Sequence, residues 1–138
     1  MDKALNYLAL ARKAGLAELG EEPVNAITRA GKGYLVIVAS DASGHTWRRA
    51  NSFVAGTSQC CLQVPFTKDE LGFIIGRKEL AIAALTDAAM AASFVKALPQ
   101  TEKTAAVLEV LEEKVRRIKQ RQKEAKAHQK NVRFGKKK

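Results

Sequence analysis

The sequence predicts an α/β fold. The expected form is a three-layer αβα sandwich around a small mixed sheet, with a basic amphipathic C-terminal helix and a flexible tail. Three observations lead there. Short apolar runs rich in β-branched residues alternate with segments of helical periodicity. The connections between them are short, which suits layers packed on one sheet. The charge is also divided: Pro99 to Lys138 holds 13 Lys and Arg against 5 Asp and Glu, whereas Met1 to Leu98 holds 11 against 9. The division suggests an αβα domain over 1–98, a basic helix over 99–130 and a tail over 131–138.

Asp2 to Ala14 places Leu5, Leu8 and Ala11 on one helical face, and Gly15 ends the helix. Leu16 to Leu19 is a short strand. Gly20 opens a second helix, with Pro23 tolerated in its first turn and Glu21 and Glu22 favourable at its positive end. Gly31 or Gly33 closes it. Tyr34 to Ala39 is a continuous apolar run, the pattern of a central strand buried on both faces. The turn from Asp41 to Ser43 offers caps for a helix reaching about Val54. Cys60 to Val64 is a further strand, stopped by Pro65. Thr67-Lys68-Asp69-Glu70 fits a capping box ahead of a helix through Leu71, Phe73, Ile74 and Ile75. Gly76 to Glu79 forms a loop, Leu80 to Leu85 an apolar strand, and Asp87 caps a helix ending before Pro99. Leu108, Leu111, Val115 and Ile118 then form the stripe of a long amphipathic helix ending near Ala127.

The composition narrows the function. With 138 residues and 46% hydrophobic content, one domain plus an appendage is expected. The start lacks a continuous apolar segment of the secretory kind. The apolar stretch from Leu80 to Leu98 is broken by Thr86, Asp87, Ser93 and Lys96, so no membrane partner is expected. Adjacent Cys60 and Cys61 fit buried free thiols in a cytoplasmic protein, with no metal, cofactor or small-molecule substrate implied. No nucleophile–base pair and no phosphate-loop glycine spacing is present, so no enzyme is expected. The formal net charge of +10 favours a polyanion, through release of its condensed counterions.

The ordered pieces Leu10-Ala11-Arg12-Lys13-Ala14-Gly15, Gly20-Glu21-Glu22, Val24, Gly31-Lys32 and Leu35-Val36-Ile37-Val38-Ala39 come first. Ser40-Asp41-Ala42-Ser43, Glu70-Leu71-Gly72, Ile75-Gly76-Arg77 and Thr86-Asp87 come after them. Together, over Leu8 to Leu98, they resemble the kink-turn-binding ribosomal protein superfamily of the L-seven-Ae and L-thirty-e type, closest to the bacterial YlxQ-like group. The resemblance implies a non-enzymatic protein of translation or another ribonucleoprotein, with structured RNA, such as ribosomal RNA, as partner. It implies an RNA surface at one end of the sheet, built from the helix start at Gly20, the loop at Asp41 to Ser43 and the loop at Gly76 to Glu79. The residues so implied are Gly20, Glu21, Glu22, Asn25, Arg29, Lys32, Ser43, Arg77, Lys78 and Glu79. Relative to the ribosomal pattern, Glu22 replaces an Asn, Pro23 a Glu, Asn25 a Thr and Ala26 a Lys. Acceptor-only carboxylates thus stand where donors and acceptors were mixed.

Alternatives stand beside these assignments. Glu21 and Glu22 are either base readers or first-turn charges that favour the helix. His45, Trp47, Arg48 and Arg49 are either a stacking and phosphate patch or an exposed helix face with Trp47 partly inward. In the arm, Arg133, Phe134, Lys136, Lys137 and Lys138 are expected to supply phosphate contacts and one stacking ring. A second functional class is a protein-interaction module of the same fold. Its docking surface would be the helix over 105–125.

Overall fold

The computed structural model describes residues 2–135, with side chains described through residue 128. In chain order the elements are α1 Lys3–Lys13, β1 Ala17–Leu19, α2 Glu21–Arg29, β2 Leu35–Val38 and α3 Gly44–Val54. They continue as β3 Cys60–Gln63, α4 Lys68–Ile74, β4 Ile82–Leu85, α5 Ala88–Lys96 and α6 Glu102–Gly135. Local chemistry sets the helix starts. Asp2, Ser43 and Asp87 each accept a backbone N–H with their side chains, and Thr67 and Glu70 form a reciprocal capping box.

The strand order is β1-β4-β2-β3. β4 runs antiparallel to both β1 and β2, while β2 and β3 are parallel. The two central strands, β2 and β4, are buried along their whole length. Their alternation feeds two cores. Leu35, Ile37, Ala83 and Leu85 face α1, α4 and α5, where Leu8, Leu71 and Phe94 are fully buried. Val36, Val38, Ile82 and Ala84 face Val24 of α2 and Ala50 of α3. This is the expected αβα sandwich with its mixed sheet.

The C-terminal helix packs on the body and runs further than its sequence predicts. Leu111 is fully buried, and Val107, Leu108 and Val115 pack against the larger core. The apolar stripe over 105–125 is therefore used mainly on the chain's own body. The helical backbone also passes the expected end near Ala127 and runs to Gly135, because no residue before that glycine breaks it. The side chains of Arg133 and Phe134, and all of Lys136, Lys137 and Lys138, lie outside the described residues.

Candidate nucleic-acid interface

Strand register brings three separate segments to one end of the sheet. Leu19 pairs with Ala83, and Val38 pairs with Ile82. The end of β1, the end of β2 and the start of β4 are thus in line. The α2 start continues directly from β1, the turn through Asp41 to Ser43 continues from β2, and the loop Gly76 to Glu79 leads into β4.

Gly20 is the pivot of the first segment. Its N–H donates to the Ile82 carbonyl at 3.0 Å, which ties the helix start to β4. Its φ of 95° lies where side chains are rarely tolerated. A Cβ built there would lie 3.9 Å from Arg77 Nη1, so the guanidinium lies close against the helix start. No side chain caps α2, and Pro23 has no N–H. The amides of Glu21 and Glu22 therefore begin the helix without a side-chain acceptor.

The loop carrying Arg77 depends on Gly72. A Cβ at Gly72 would come within 2.5 Å of Glu79 Cα, so only glycine lets the loop pass so close to α4. The Arg77 N–H donates to the Gly72 carbonyl at 2.8 Å. The side chains of Arg77, Lys78 and Glu79 are exposed. Phe73, just before this loop, is 80% exposed.

The turn after β2 is fixed from two sides. Asp41 Oδ1 accepts the Lys68 N–H at 2.8 Å, and Ser40 N–H donates to the Phe66 carbonyl at 2.8 Å. Ser43 caps α3, accepting the Thr46 N–H at 3.1 Å, so its hydroxyl serves the fold first. In the next turn of α3, Arg49 forms an ion pair with Glu21 and lies 5.3 Å from the Phe53 ring centroid. Arg48 bends back toward Gly44; a Cβ there would lie 3.4 Å from its Nη1.

The residues expected at this surface therefore divide. Gly20, Glu21, Glu22, Ser43, Arg77, Lys78 and Glu79 come together. Glu21 is held by Arg49, whereas Glu22 is exposed and has no ion pair among the described residues. Asn25 is half-buried one turn into α2. Arg29 lies two turns from Glu22, about 10 Å along the helix. Lys32 lies at the opposite end of the sheet: Gly33 N–H binds Gln59 Oε1 at 2.8 Å just before β3, and Leu35 pairs with Cys60. The chain reverses at the end of α2, so Lys32 cannot share a surface with Arg77. Trp47 also departs from the stacking alternative, because it is half-buried with Lys103 Nζ 4.8 Å from its ring centroid.

Arg48 and Phe73 join this end of the molecule, although the resemblance did not imply either as a site residue. Helical phase gives a signal for Phe73: with Leu71 and Ile75 turned inward, it faces out.

Among the described residues no three His, Cys, Asp or Glu side chains gather as a metal site. Cys60 and Cys61 are free. Burial pushes both thiols up, Cys61 to about 11 from an ordinary 9.0. Lys114, which lowers the Cys60 value, is itself held below its usual range by burial.

No protein-family model and no curated protein sequence matches this chain. Solved structures do. A Bacillus halodurans protein of unknown function is 28% identical with a TM-score of 0.62, covering 79% of this chain and 99% of that one. A Giardia lamblia protein described as a 15.5 kD RNA-binding protein is 15% identical with a TM-score of 0.60. That match covers 78% of this chain and 87% of the Giardia chain. At that identity the likeness is one of fold.

Proposed function

We propose that this chain is a non-enzymatic, cytoplasmic RNA-binding protein that recognises structured RNA, ribosomal or of another ribonucleoprotein, in the manner of kink-turn-binding proteins. The observation that carries the reading is the meeting of the α2 start, the turn after β2 and the loop before β4, with Arg77 against Gly20. Backbone amides and guanidinium groups there suit phosphate oxygens, and the Glu22 carboxylate suits base amino groups in a distorted groove. The fold shared with an RNA-binding protein of Giardia lamblia is consistent with this, although a fold alone assigns no function. The C-terminal arm adds phosphate contacts, which makes affinity strongly dependent on salt. Binding of a kink-turn RNA and of a plain duplex of equal length, measured side by side on filters, tests the reading. Tighter binding of the kinked RNA supports it, and equal binding removes the recognition claim.

A further inference from the structure

α6 begins at the end of the sheet that carries the candidate interface and leaves the body at the other. Lys103 and Thr104, in its first turn, share a cleft with Ser40, with Gln63 at the end of β3 and with Val64 and Pro65 after it. Further on, Lys114 Nζ donates to the Ser58 carbonyl at 2.6 Å, just before β3, and lies 5.4 Å from the Tyr34 ring centroid, just before β2. Lys119 shares a cleft with Ala89 at the start of α5. From there to residue 128 every side chain is exposed, while the backbone stays helical to Gly135, about 25 Å further along the axis.

The charge divides where the helix leaves. Residues 116–138 hold eleven Lys and Arg against one acidic residue, Glu124. Residues 1–115 hold thirteen of each, so the whole net charge of +10 lies in the arm. Glu113 binds Arg116 at 2.7 Å and Arg117 at 3.2 Å. Lys119, Arg121, Lys123 and Lys126 make no ion pair among the described residues. Exposed Arg12, Lys13 and Lys32 lie at the same end of the sheet, at the close of α1 and after α2.

We infer that the arm is a second RNA-binding surface, which holds a stretch of RNA separate from the one read at α2 and the loop Gly76 to Glu79. The inference rests on the RNA-binding reading and adds a geometry to it. A helix leaving one end of the sheet places its cations beyond the part of the RNA docked at the other end. Beyond Ile118, Lys119, Lys123 and Lys126 follow i, i+4, i+7 spacing on one helical face with no continuous apolar stripe beside them, which suits phosphates and not a protein groove. The neutral body then reads shape, while the arm grips backbone one domain-length away.

Site-specific photo-crosslinking tests this on the full chain. A benzophenone amino acid replaces Phe73 beside the interface loop or Gln122 in the arm, each bound to purified ribosomal RNA. Reverse-transcription stops then map the contacts. Both positions should crosslink, and to different helices of the RNA. Excess short RNA duplex should reduce the arm crosslinks by about tenfold and leave those from position 73 largely intact. If both positions mark the same nucleotides, or only position 73 crosslinks, the separate arm surface is wrong while the RNA-binding reading stands. If neither position crosslinks and filter binding is also absent, the RNA-binding reading falls and takes the inference with it.

Discussion

Glu21 and Glu22 are adjacent in sequence and differ in circumstance. Glu21 is tied to Arg49, so its carboxylate helps hold α2 against α3. Glu22 faces solvent and, on the proposed reading, is the one that meets a base. Glu22→Ala should therefore narrow the preference for structured RNA over plain duplex by about 1–3 kcal/mol, the worth of one base contact. Equal tightening toward both RNAs would show instead that the carboxylate only repels phosphate. The double change Arg77→Ala, Lys78→Ala should weaken both RNAs alike and reduce the salt slope by about 2 in filter titrations. The thiols carry a separate expectation. Burial raises the Cys61 thiol to about 11, so at pH 8 it presents about a hundredfold less thiolate than an ordinary cysteine. Iodoacetamide should modify it correspondingly slowly in the folded protein, and a rate equal to that of the unfolded chain would refute the burial. Because the folded value lies above the unfolded one, the folded state keeps this proton more firmly. Its contribution to stability is whole below about pH 9 and fades as pH climbs towards 11.

At the scale of elements, α6 and α4 make the clearest claims. Leu111 is fully buried against the body, so Leu111→Asp should cost at least the 2–5 kcal/mol or so of an ordinary core truncation and lower the melting midpoint of the whole protein. An unchanged melting curve would mean that the helix stands apart from the sandwich. Gly72→Ala should displace the loop from Gly76 to Glu79 and destabilise by about 1–3 kcal/mol, since its methyl would meet the Glu79 backbone. Hydrogen exchange confined to that loop, or an unaltered loop, decides the point. These elements also show how far the sequence could be read. The buried runs at Tyr34 to Ala39 and Leu80 to Leu85, and the capping box at Thr67, announced themselves because periodicity and caps are local signals. The same stripe that announced α6 did not say what would cover it, and the answer, α5 and the body, is a long-range packing fact. Lys32 was misplaced for a related reason. Its distance from Arg77 depends on the reversal between α2 and β2, which spacing along the chain does not encode. Arg48 entered the interface only because α3 starts beside α2.

Across the whole molecule, the proposed reading gives a neutral sandwich and a basic helical arm two tasks that charge keeps apart. The body can discriminate without strong attraction to every polyanion, since residues 1–115 carry no net charge. On the proposed reading the arm attracts RNA without sequence preference and contributes most of the salt-dependent binding energy, with Arg77 and Lys78 supplying the rest. Arg121→Gln, Lys123→Gln and Lys126→Gln together should flatten the salt slope by about 3 while leaving the preference for structured RNA in place. The most direct measurement is a filter titration of the full chain against a kink-turn RNA and a plain duplex of equal length, over a series of salt concentrations. The account predicts two affinities that fall steeply and in parallel, with the kinked RNA tighter throughout. No binding at low salt, or a ratio of one at every salt concentration, would contradict it.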